Sequence, residues 1–268
     1  MSTVPADTQT SAVGARPAGR PVALVRDTGI VFTRELRPLL RSPFQMIVSI
    51  AQPLMFLALF APLLPGGASA QTLQWFLPGM VAMACLTAAT MTGSNLMLEM
   101  QTGSHERLLV SPLSRSSLLL GRALKEIVPV VAQTLVLVVV AWPFGFAVHP
   151  LGIAAGVLML SVFSVAAGAL SFALALVSKG QDWLFWTVQQ TLLFPVLLSA
   201  GVLLPLDDAP GWLRALSQAN PLTHVVHASR QLFAGNYPAG AVLAGFGAAF
   251  ALLMVGLAVG IRAMQKAD

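Results

Sequence analysis

Long hydrophobic runs are the feature of this sequence that most limits its fold. A helix needs about 20 mostly apolar residues to cross a hydrocarbon layer about 30 Å thick, and six runs approach or exceed that length. The chain is 56% hydrophobic and only 9% charged, whereas soluble domains are about 25% charged. The sequence therefore predicts an all-α integral membrane protein with six transmembrane helices. The predicted spans cover residues 44–64, 74–97, 127–147, 151–177, 183–204 and 239–261.

Basic residues set the predicted orientation of these spans. Cytoplasmic linkers of membrane proteins carry an excess of Lys and Arg. With both termini inside, thirteen of the 15 Lys and Arg residues fall in cytoplasmic segments, and only Arg214 and Arg230 fall outside. We therefore predict a multi-pass protein of the cell membrane with both termini in the cytoplasm. Basic residues scattered through short linkers form no single patch of the kind that binds nucleic acid.

The residues before the first span divide into two parts. Residues 1–21 are rich in Ala, Pro, Thr, Ser and Gly without periodicity, which predicts a disordered cytoplasmic tail. Residues 22–268 are predicted to form one transmembrane domain, beginning with an amphipathic helix on the inner membrane surface that Pro38 kinks or ends. Its predicted apolar side is Val25, Phe32, Leu36, Leu39 and Leu40, and its polar side is Arg26, Arg34, Arg37 and Arg41.

The largest polar stretch inside the chain runs from Glu99 to Lys125, between the second and third spans. After Gly103, Ser104 suits the N-cap position of a helix, and Glu106 would lie in the first turn, where a negative charge suits the helix dipole. The stretch predicts a cytoplasmic helix of about two turns that docks into a groove on another protein. The alternative is a solvated loop whose charges only keep it out of the membrane. The charged and apolar residues of this segment are His105, Glu106, Arg107, Leu108 and Leu109.

The connection between the last two spans, residues 205–238, is too long for a tight turn and too apolar for a free loop. It predicts two short outer helices, over 211–218 and 221–233. Asn220 would be the N-cap of the second helix, with Pro221 at its first position. The apolar content, which includes Trp212, predicts that this outer cap packs against the spans.

Known chemical motifs are missing from the sequence. A P-loop needs Gly-Lys-Ser/Thr, but the three lysines are followed by Glu, Gly and Ala. No catalytic residue and no metal site are predicted, since His224 and His227 have i, i+3 spacing but no third ligand of their kind. Any ATP would have to be bound by another chain.

Polar residues in the spans are few. Glu126 and Asp182 lie at predicted span ends, which favours snorkelling or capping over ion coupling. Buried glutamines are expected to form interhelical hydrogen bonds rather than substrate contacts. Two GxxxG pairs, Gly152 with Gly156 and Gly256 with Gly260, predict close helix approach. The glutamines concerned are Gln52, Gln133, Gln189 and Gln190.

Two blocks of the sequence carry a resemblance to a known family. The first contains Pro78-Gly79, Gly103, the run Glu106-Arg107-Leu108-Leu109, and Ser111-Pro112. The second contains Leu204-Pro205-Leu206, Trp212-Leu213, Asn220-Pro221-Leu222-Thr223 and Arg230. Together they resemble type-2 ATP-binding-cassette (ABC) exporter permeases, and within that class the daunorubicin-resistance-type drug-export subunits. One departure is that the charged pair often found before the glycine is here only Glu99.

The resemblance implies a permease that forms a homodimer and pairs with two separate ATPase subunits, which bind ATP and Mg. It also implies that the loop between spans two and three is a coupling helix in a cleft of the ATPase, with the amphipathic helix beside it. The implied coupling residues are Glu99, Gly103, His105, Glu106, Arg107, Leu108 and Leu109. The implied interface-helix residues are Arg26, Phe32, Arg34, Glu35 and Arg37, and those of the outer cap are Trp212, Asn220, Pro221 and Arg230.

The leading expectation is the membrane subunit of an ATP-driven exporter of an amphiphilic, drug-like or lipid-like compound. One alternative is the same architecture exporting a polysaccharide, lipid-linked glycan or haem-related cargo, since aromatic side chains often line glycan channels. Another is a membrane scaffold or immunity protein that binds a partner without transport. The aromatic residues that would line a channel or face lipid are Phe163, Phe172, Trp183, Phe185, Trp186 and Phe194.

Overall fold

The fold is all-helical over the part of the chain that the computed structural model describes, residues 21–41, 43–63, 67, 69–103, 115–203, 205–206 and 209–266. The predicted coupling helix over 104–110 lies outside these residues, and so does the predicted tail, 1–21, except for Pro21, which begins the first helix. The described α-helices are α1 (Pro21–Arg41), α2 (Pro43–Phe60), α3 (Ala70–Gln101), α4 (Arg115–Leu124), α5 (Ile127–Ala141), α6 (Pro150–Val177), α7 (Asp182–Ser199), α8 (Gly211–Ala219), α9 (Pro221–Phe233) and α10 (Ala239–Lys266).

Four described stretches are long and apolar enough to cross a membrane, and they match the second, third, fourth and sixth predicted spans. These are α3, the bent stretch Ser116–Phe144 that contains α4 and α5, α6, and α10 up to Gln265. Helices α2 and α7 lie where the first and fifth spans are predicted, and each is 18 residues long. The chain is therefore a multi-pass membrane protein, and six crossings stay a prediction.

Local sequence signals explain where several helices begin and end. Ser69 caps α3 by accepting a hydrogen bond from the backbone N–H of Thr72 at 3.3 Å. Helix α6 begins with Pro150, whose missing N–H needs no partner in a first turn. Helix α3 ends before Gly103, which has a φ of +69°, a value that residues with a Cβ rarely adopt. The chain therefore turns at Gly103.

The core lies between α3, α6, α9 and α10. Small residues let these helices approach closely, as the two GxxxG pairs predict. A Cβ on Gly256 of α10 would lie 2.7 Å from the backbone oxygen of Ala166 in α6. A Cβ on Gly152 would overlap the backbone oxygen of Leu232 in α9. Close approach increases the dispersion contacts that hold helices together in lipid.

Helix α1 buries one narrow face against the rest of the chain and leaves part of its predicted apolar side exposed. Val31 and Asp27 are buried, whereas Val25 is 73% exposed and Leu40 is 59% exposed. The reason is the neighbour: α1 packs on α4, where Gly121 leaves room for the side chain of Val31. Pro38 does not end the helix, which continues to Arg41.

The two ends of the helix bundle differ in charge. We call the end at which α3 ends and α7 begins the basic end, and the end that carries α8 and α9 the cap end. Gln101 at the end of α3 donates to Asp182 of α7 at 2.6 Å, which places both residues at the basic end. The described basic residues near the basic end are Arg26, Arg34, Arg37, Arg41, Arg122, Lys125, Lys179 and Arg262, against Arg214 and Arg230 near the cap end.

The charge asymmetry gives a labelling prediction. Gln181 at the basic end and Gln218 of α8 at the cap end are both exposed, and Cys85 is buried. In a Cys85→Ser background, we expect Gln218→Cys to react with a membrane-impermeant maleimide on intact cells, and Gln181→Cys to react only after permeabilisation. Reaction of both variants from outside would contradict the orientation.

Candidate functional site

A group of buried charges joins three helices at the basic end. Its members are Glu35 of α1, Glu99 of α3, Arg122 of α4, and Lys125 in the turn after α4. We call these four residues the charge network. Arg122 is only 3% exposed. Charges buried to this degree are tolerated where opposite charges lie beside them.

Arg122 is the centre of the charge network. Its Nη2 is paired closely with Oε2 of Glu99, and its Nε lies 3.4 Å from Oε1 of Glu35. Its guanidinium carbon lies 5.5 Å from the ring centroid of Phe172 in α6, within the range of a cation–π contact. Lys125 Nζ lies 3.3 Å from Oε2 of Glu35. Two cations and two carboxylates therefore balance each other.

Helix α4 places Arg122 in this position because it is amphipathic. Leu118 and Leu119 are buried and pack into the smaller of two apolar clusters, with Leu96 of α3 and Val31 of α1. Arg122 lies one turn after Leu118, on the same side of the helix. The packing of α4 thus carries the guanidinium into the interior, where Glu35 and Glu99 neutralise it.

The charge network holds both ends of the segment between Gly103 and Arg115. Glu99 lies one turn before Gly103, and Arg122 lies two turns after Arg115. Glu35 adds α1 to the same group. One set of ion pairs therefore links α1, α3 and α4 next to this segment. The predicted coupling residues His105, Glu106, Arg107, Leu108 and Leu109 lie outside the described residues.

Two residues of the charge network, Arg122 and Lys125, were not among the predicted site residues. Arg122 and Lys125 bring together Glu99 and Glu35, which were predicted site residues. A sequence signal did exist, since Arg122 interrupts the apolar run Leu118-Leu119-Leu120-Gly121 and lies at i, i+3 from Lys125. That spacing does not predict that the partners of Arg122 lie in two helices distant in sequence.

Glu126 lies at a helix end as predicted, in the N-cap position of α5, although its side chain makes no capping hydrogen bond. It does not snorkel: it is 3% exposed and accepts a hydrogen bond from Thr92 Oγ1 of α3 at 2.6 Å. The bend between α4 and α5 turns the side chain inward, and Gly168 of α6 leaves space for it. Asp182 stays at a helix end as predicted, exposed in the first turn of α7.

The predicted arginines of the interface helix line one exposed surface. Arg26, Arg34 and Arg37 lie around a shallow hollow with Gly29 and Thr33. Phe32 is half-buried. The exposed arginines therefore stand apart from the charge network, in which Glu35 is the only residue of α1.

At the cap end, Arg230 of α9 fastens three segments. Its Nε donates to the backbone oxygen of Trp75 in α3 at 3.1 Å, and its Nη2 donates to that of Gly201 at 2.7 Å. The guanidinium carbon also lies 3.7 Å from the ring centroid of Trp75. Gly79 permits this arrangement, because a Cβ there would lie 2.8 Å from the backbone oxygen of Val202.

The other predicted cap residues have different surroundings. Asn220 is the N-cap of α9 and accepts from the Leu222 N–H at 3.0 Å, with Pro221 at the first position, as predicted. Its Nδ2 also donates to the Val196 oxygen of α7 at 2.7 Å. Trp212 is 70% exposed, so the prediction of a packed cap holds for α9 and fails at this residue of α8.

The buried glutamines do not form the predicted interhelical hydrogen bonds through their side-chain oxygens. Oε1 of Gln133 and Oε1 of Gln189 are buried without a hydrogen-bond partner among the described residues. Gln52 and Gln190 are exposed. A serine makes such a contact instead: Ser171 Oγ of α6 donates to the Thr90 oxygen of α3 at 2.9 Å.

Comparisons with known proteins agree with this arrangement. A family model described as ABC-2 type transporter matches residues 26–234. The daunorubicin resistance ABC transporter permease protein DrrB1 of Streptomyces coeruleorubidus is 30% identical over 80% of this chain and 80% of its own length. The putative transport permease ycf38 of Cyanophora paradoxa is 28% identical over 78% of this chain and 74% of its own.

A more distant relative is the probable multidrug ABC transporter permease YbhR of Escherichia coli K12, which is 27% identical over 60% of this chain and 44% of its own length. The family match begins in α1 and ends just after α9, so it includes every residue of the charge network and the helices of the cap. The chain therefore belongs to the ABC-2 type transporter family and is a transmembrane permease of an ABC transporter.

Proposed function

We propose that this chain is the membrane-spanning subunit of an ATP-driven exporter that moves an amphiphilic small molecule, drug-like or lipid-like, out of the cell. The observation that carries the proposal is the family match, which runs from α1 to α9 and includes the charge network. The proposed location is the cell membrane, with the basic end and both termini in the cytoplasm.

The energy source is a separate ATPase. None of the three lysines of the sequence is followed by Ser or Thr, so the chain has no P-loop of its own. Two copies of the permease would pair with two ATPase subunits, and those subunits would bind ATP and Mg. The segment from Ser104 to Val110 would dock into each ATPase, and the charge network would pass its movement to α1, α3 and α4.

Two observations support the proposed substrate class. The aromatic residues proposed for a glycan channel do not form one surface, because Phe163, Phe172 and Phe185 are buried whereas Trp183 and Phe194 are exposed. The relative with 80% coverage is named for daunorubicin resistance. Both points favour an amphiphilic compound over a polysaccharide.

Docking of the segment gives a direct test. We expect Glu106→Lys to lower the amount of ATPase that co-purifies with the permease about tenfold or more, since small interfaces concentrate their energy in a few side chains. The measurement is co-purification from membranes, followed by export in vesicles. Gln218→Lys on α8 is the matched control, because it adds the same charge at the cap end, and it should behave as wild type.

Leu108→Asp tests the same contact through an apolar residue. It should reduce ATPase recovery while the permease inserts at wild-type levels. Wild-type export and wild-type ATPase recovery from both Glu106→Lys and Leu108→Asp would contradict docking at this segment. The contact would then lie elsewhere, with the exposed arginines of α1 as the next surface to test.

A further inference from the structure

Three arginines of α1 surround a shallow hollow on the face of the helix that points away from α4. The opposite face of α1 carries the buried residues Asp27 and Val31. The hollow is open because Gly29 has no side chain, and no described side chain or neighbouring helix lies within 4 Å of the position that its Cβ would occupy. We call this surface the arginine hollow, and its lining residues are Arg26, Gly29, Ile30, Thr33, Arg34 and Arg37.

The arginine hollow carries more positive charge than its surroundings balance. Arg26 Nη2 lies 3.6 Å from Oδ1 of Asp27, which partly offsets one charge. Arg34 and Arg37 are exposed and form no ion pair among the described residues. The other carboxylate of α1, that of Glu35, is already paired within the charge network. The positive charges of Arg34 and Arg37 therefore remain available to an anion from outside the chain.

Exposed aliphatic side chains accompany the arginines. Ile30 in the hollow is 51% exposed, and Val25 and Leu40 at its two ends are 73% and 59% exposed. A partner that offered only acidic groups would leave these side chains in water. Helix α2 lies where the first span is predicted and begins at Pro43, six residues after Arg37. The hollow is therefore next to the predicted entry of the chain into the membrane, where headgroups meet acyl chains.

A phospholipid offers both kinds of contact. Its phosphate oxygens accept paired hydrogen bonds from guanidinium groups, and its acyl chains cover aliphatic side chains. Of the described residues, no Asp or Glu lines the hollow, so nothing there pairs with the ammonium group of a zwitterionic headgroup. The chemistry therefore favours a headgroup that carries the phosphate charge alone, as in phosphatidylglycerol. The exposed aliphatic residues favour such a lipid over an acidic surface of the ATPase.

We infer that the arginine hollow binds an anionic phospholipid of the inner leaflet, with its phosphate between Arg34 and Arg37 and an acyl chain against Ile30. Arg34 and Arg37 are three positions apart, so their side chains are neighbours on the helix surface. The lipid would be a bound component of the permease and not its exported substrate, so the inference goes beyond the proposed function. Only the choice of leaflet depends on the proposed orientation.

The test uses two photoreactive phospholipids with the same acyl chains, a phosphatidylglycerol and a phosphatidylcholine, each with a diazirine close to the glycerol. Purified permease without ATPase is reconstituted into phosphatidylcholine vesicles that contain one probe, and labelled residues are located by mass spectrometry. Labelling of α1 is divided by labelling of Leu135 and Val139, which are exposed on α5 and report general lipid contact. We expect this ratio to be about fivefold or more higher for phosphatidylglycerol, and the excess to shrink at high salt.

Three double variants separate the hollow from the general charge of the basic end. Arg34→Gln with Arg37→Gln should remove the preference and leave labelling by phosphatidylcholine unchanged. Arg34→Lys with Arg37→Lys should keep part of the preference, since an ammonium attracts phosphate but lacks the planar fork. Arg41→Gln with Arg262→Gln is the matched control, because it removes two exposed arginines at the basic end that do not line the hollow. It should keep most of the preference.

Equal labelling of α1 by both probes in the wild type would overturn the inference. An equal loss of preference in the matched control would overturn it too, because net charge alone would then attract the lipid. Inorganic phosphate that abolished the preference more strongly than chloride at the same ionic strength would point to a site for a free anion instead.

The ATPase gives a separate outcome. If Arg34→Gln with Arg37→Gln lowered the co-purification of the ATPase and left the lipid preference unchanged, the hollow would be an ATPase contact and the inference would be wrong. The labelling experiment itself contains no ATPase. A failure of export with the expected labelling would therefore refute the proposed function and leave the lipid site in place.

Discussion

Replacing Arg122 with Met is expected to destabilise the folded permease by about 3 kcal/mol and to abolish export. Removing one partner of a buried ion pair typically costs about 3–5 kcal/mol, because the remaining charge stays buried without compensation. We expect the lower end of that range for two reasons. Lys125 still neutralises Glu35, and the side chain of Glu99 is 23% exposed and can reach water. Thermal unfolding of the purified variant in detergent measures the change.

A second variant separates the stability of the charge network from its role in coupling. Arg122→Met combined with Glu99→Met removes one cation and one carboxylate and leaves Lys125 paired with Glu35. We expect this double variant to recover most of the lost stability, since apolar side chains of similar volume replace buried ion pairs at little cost. It should still export poorly if the ion pairs link the docking segment to α1 and α3. Recovery of both stability and export would show that the charge network is structural only.

Arg122→Lys is the conservative control. Lysine keeps the charge but lacks the planar fork with which arginine contacts two carboxylates and an aromatic ring. We expect stability between that of the wild type and Arg122→Met. Wild-type stability for Arg122→Met would contradict the whole account of the charge network.

Short-range signals predicted the cap helices well. The Asn220-Pro221 pair places α9 at Pro221–Phe233, the range predicted from sequence, and α8 ends one residue beyond its predicted limit. An Asn side chain caps a helix whose first residue is a proline whatever surrounds it. Such a signal needs no knowledge of the neighbouring helices, and this is why it succeeded.

The charge network and the buried face of α1 could not be predicted in the same way. The apolar pattern of α1 gives the side that avoids water, but it does not distinguish lipid from protein as the neighbour. Val31 is buried because Gly121 of α4 lies opposite, some 90 positions away in the sequence. Arg122 needs Glu35 and Glu99, which belong to two other helices. Tertiary contacts decide these positions, and single-sequence patterns do not contain them.

Glu126 shows a related difficulty. A charge at the edge of an apolar run usually marks the membrane boundary. Here the bend at Lys125 and Glu126 carries the carboxylate toward Thr92 and Gly168, both of which are buried. Whether such a residue snorkels or turns inward depends on space in the neighbouring helix, and that space comes from a glycine. Two glutamines show the opposite case, since polarity predicts a partner for the side-chain oxygens of Gln133 and Gln189 that the described residues do not supply.

Replacing Arg230 with Met should release the cap from the spans. Arg230 donates to the backbone oxygens of Trp75, Gly201 and Val202, at 3.1, 2.7 and 3.3 Å. The buried oxygens of Gly201 and Val202 lie outside helices, and each one left without a donor costs about 1–3 kcal/mol. The cation–π contact with Trp75 is lost as well. We expect a loss of about 3 kcal/mol or more, which is comparable to that of Arg122→Met. The two variants should differ in which part of the molecule is destabilised.

Limited proteolysis shows which part of the molecule is destabilised. Proteinase K added outside should cut residues 205–238 faster in Arg230→Met than in the wild type, because α9 loses its fastening to α3 and to the turn after α7. Arg214→Met is the matched control: its Nε makes one exposed bond, to the Ala209 oxygen at 2.9 Å, so its loss should leave the cutting rate unchanged. Arg230→Lys should be cut at an intermediate rate, since one ammonium cannot reach all three oxygens.

If Arg230→Met is cut no faster than the wild type, the apolar packing of α9 alone holds the cap. That packing would come from Leu222, Val225, Val226, Leu232 and Phe233, which are buried in α9.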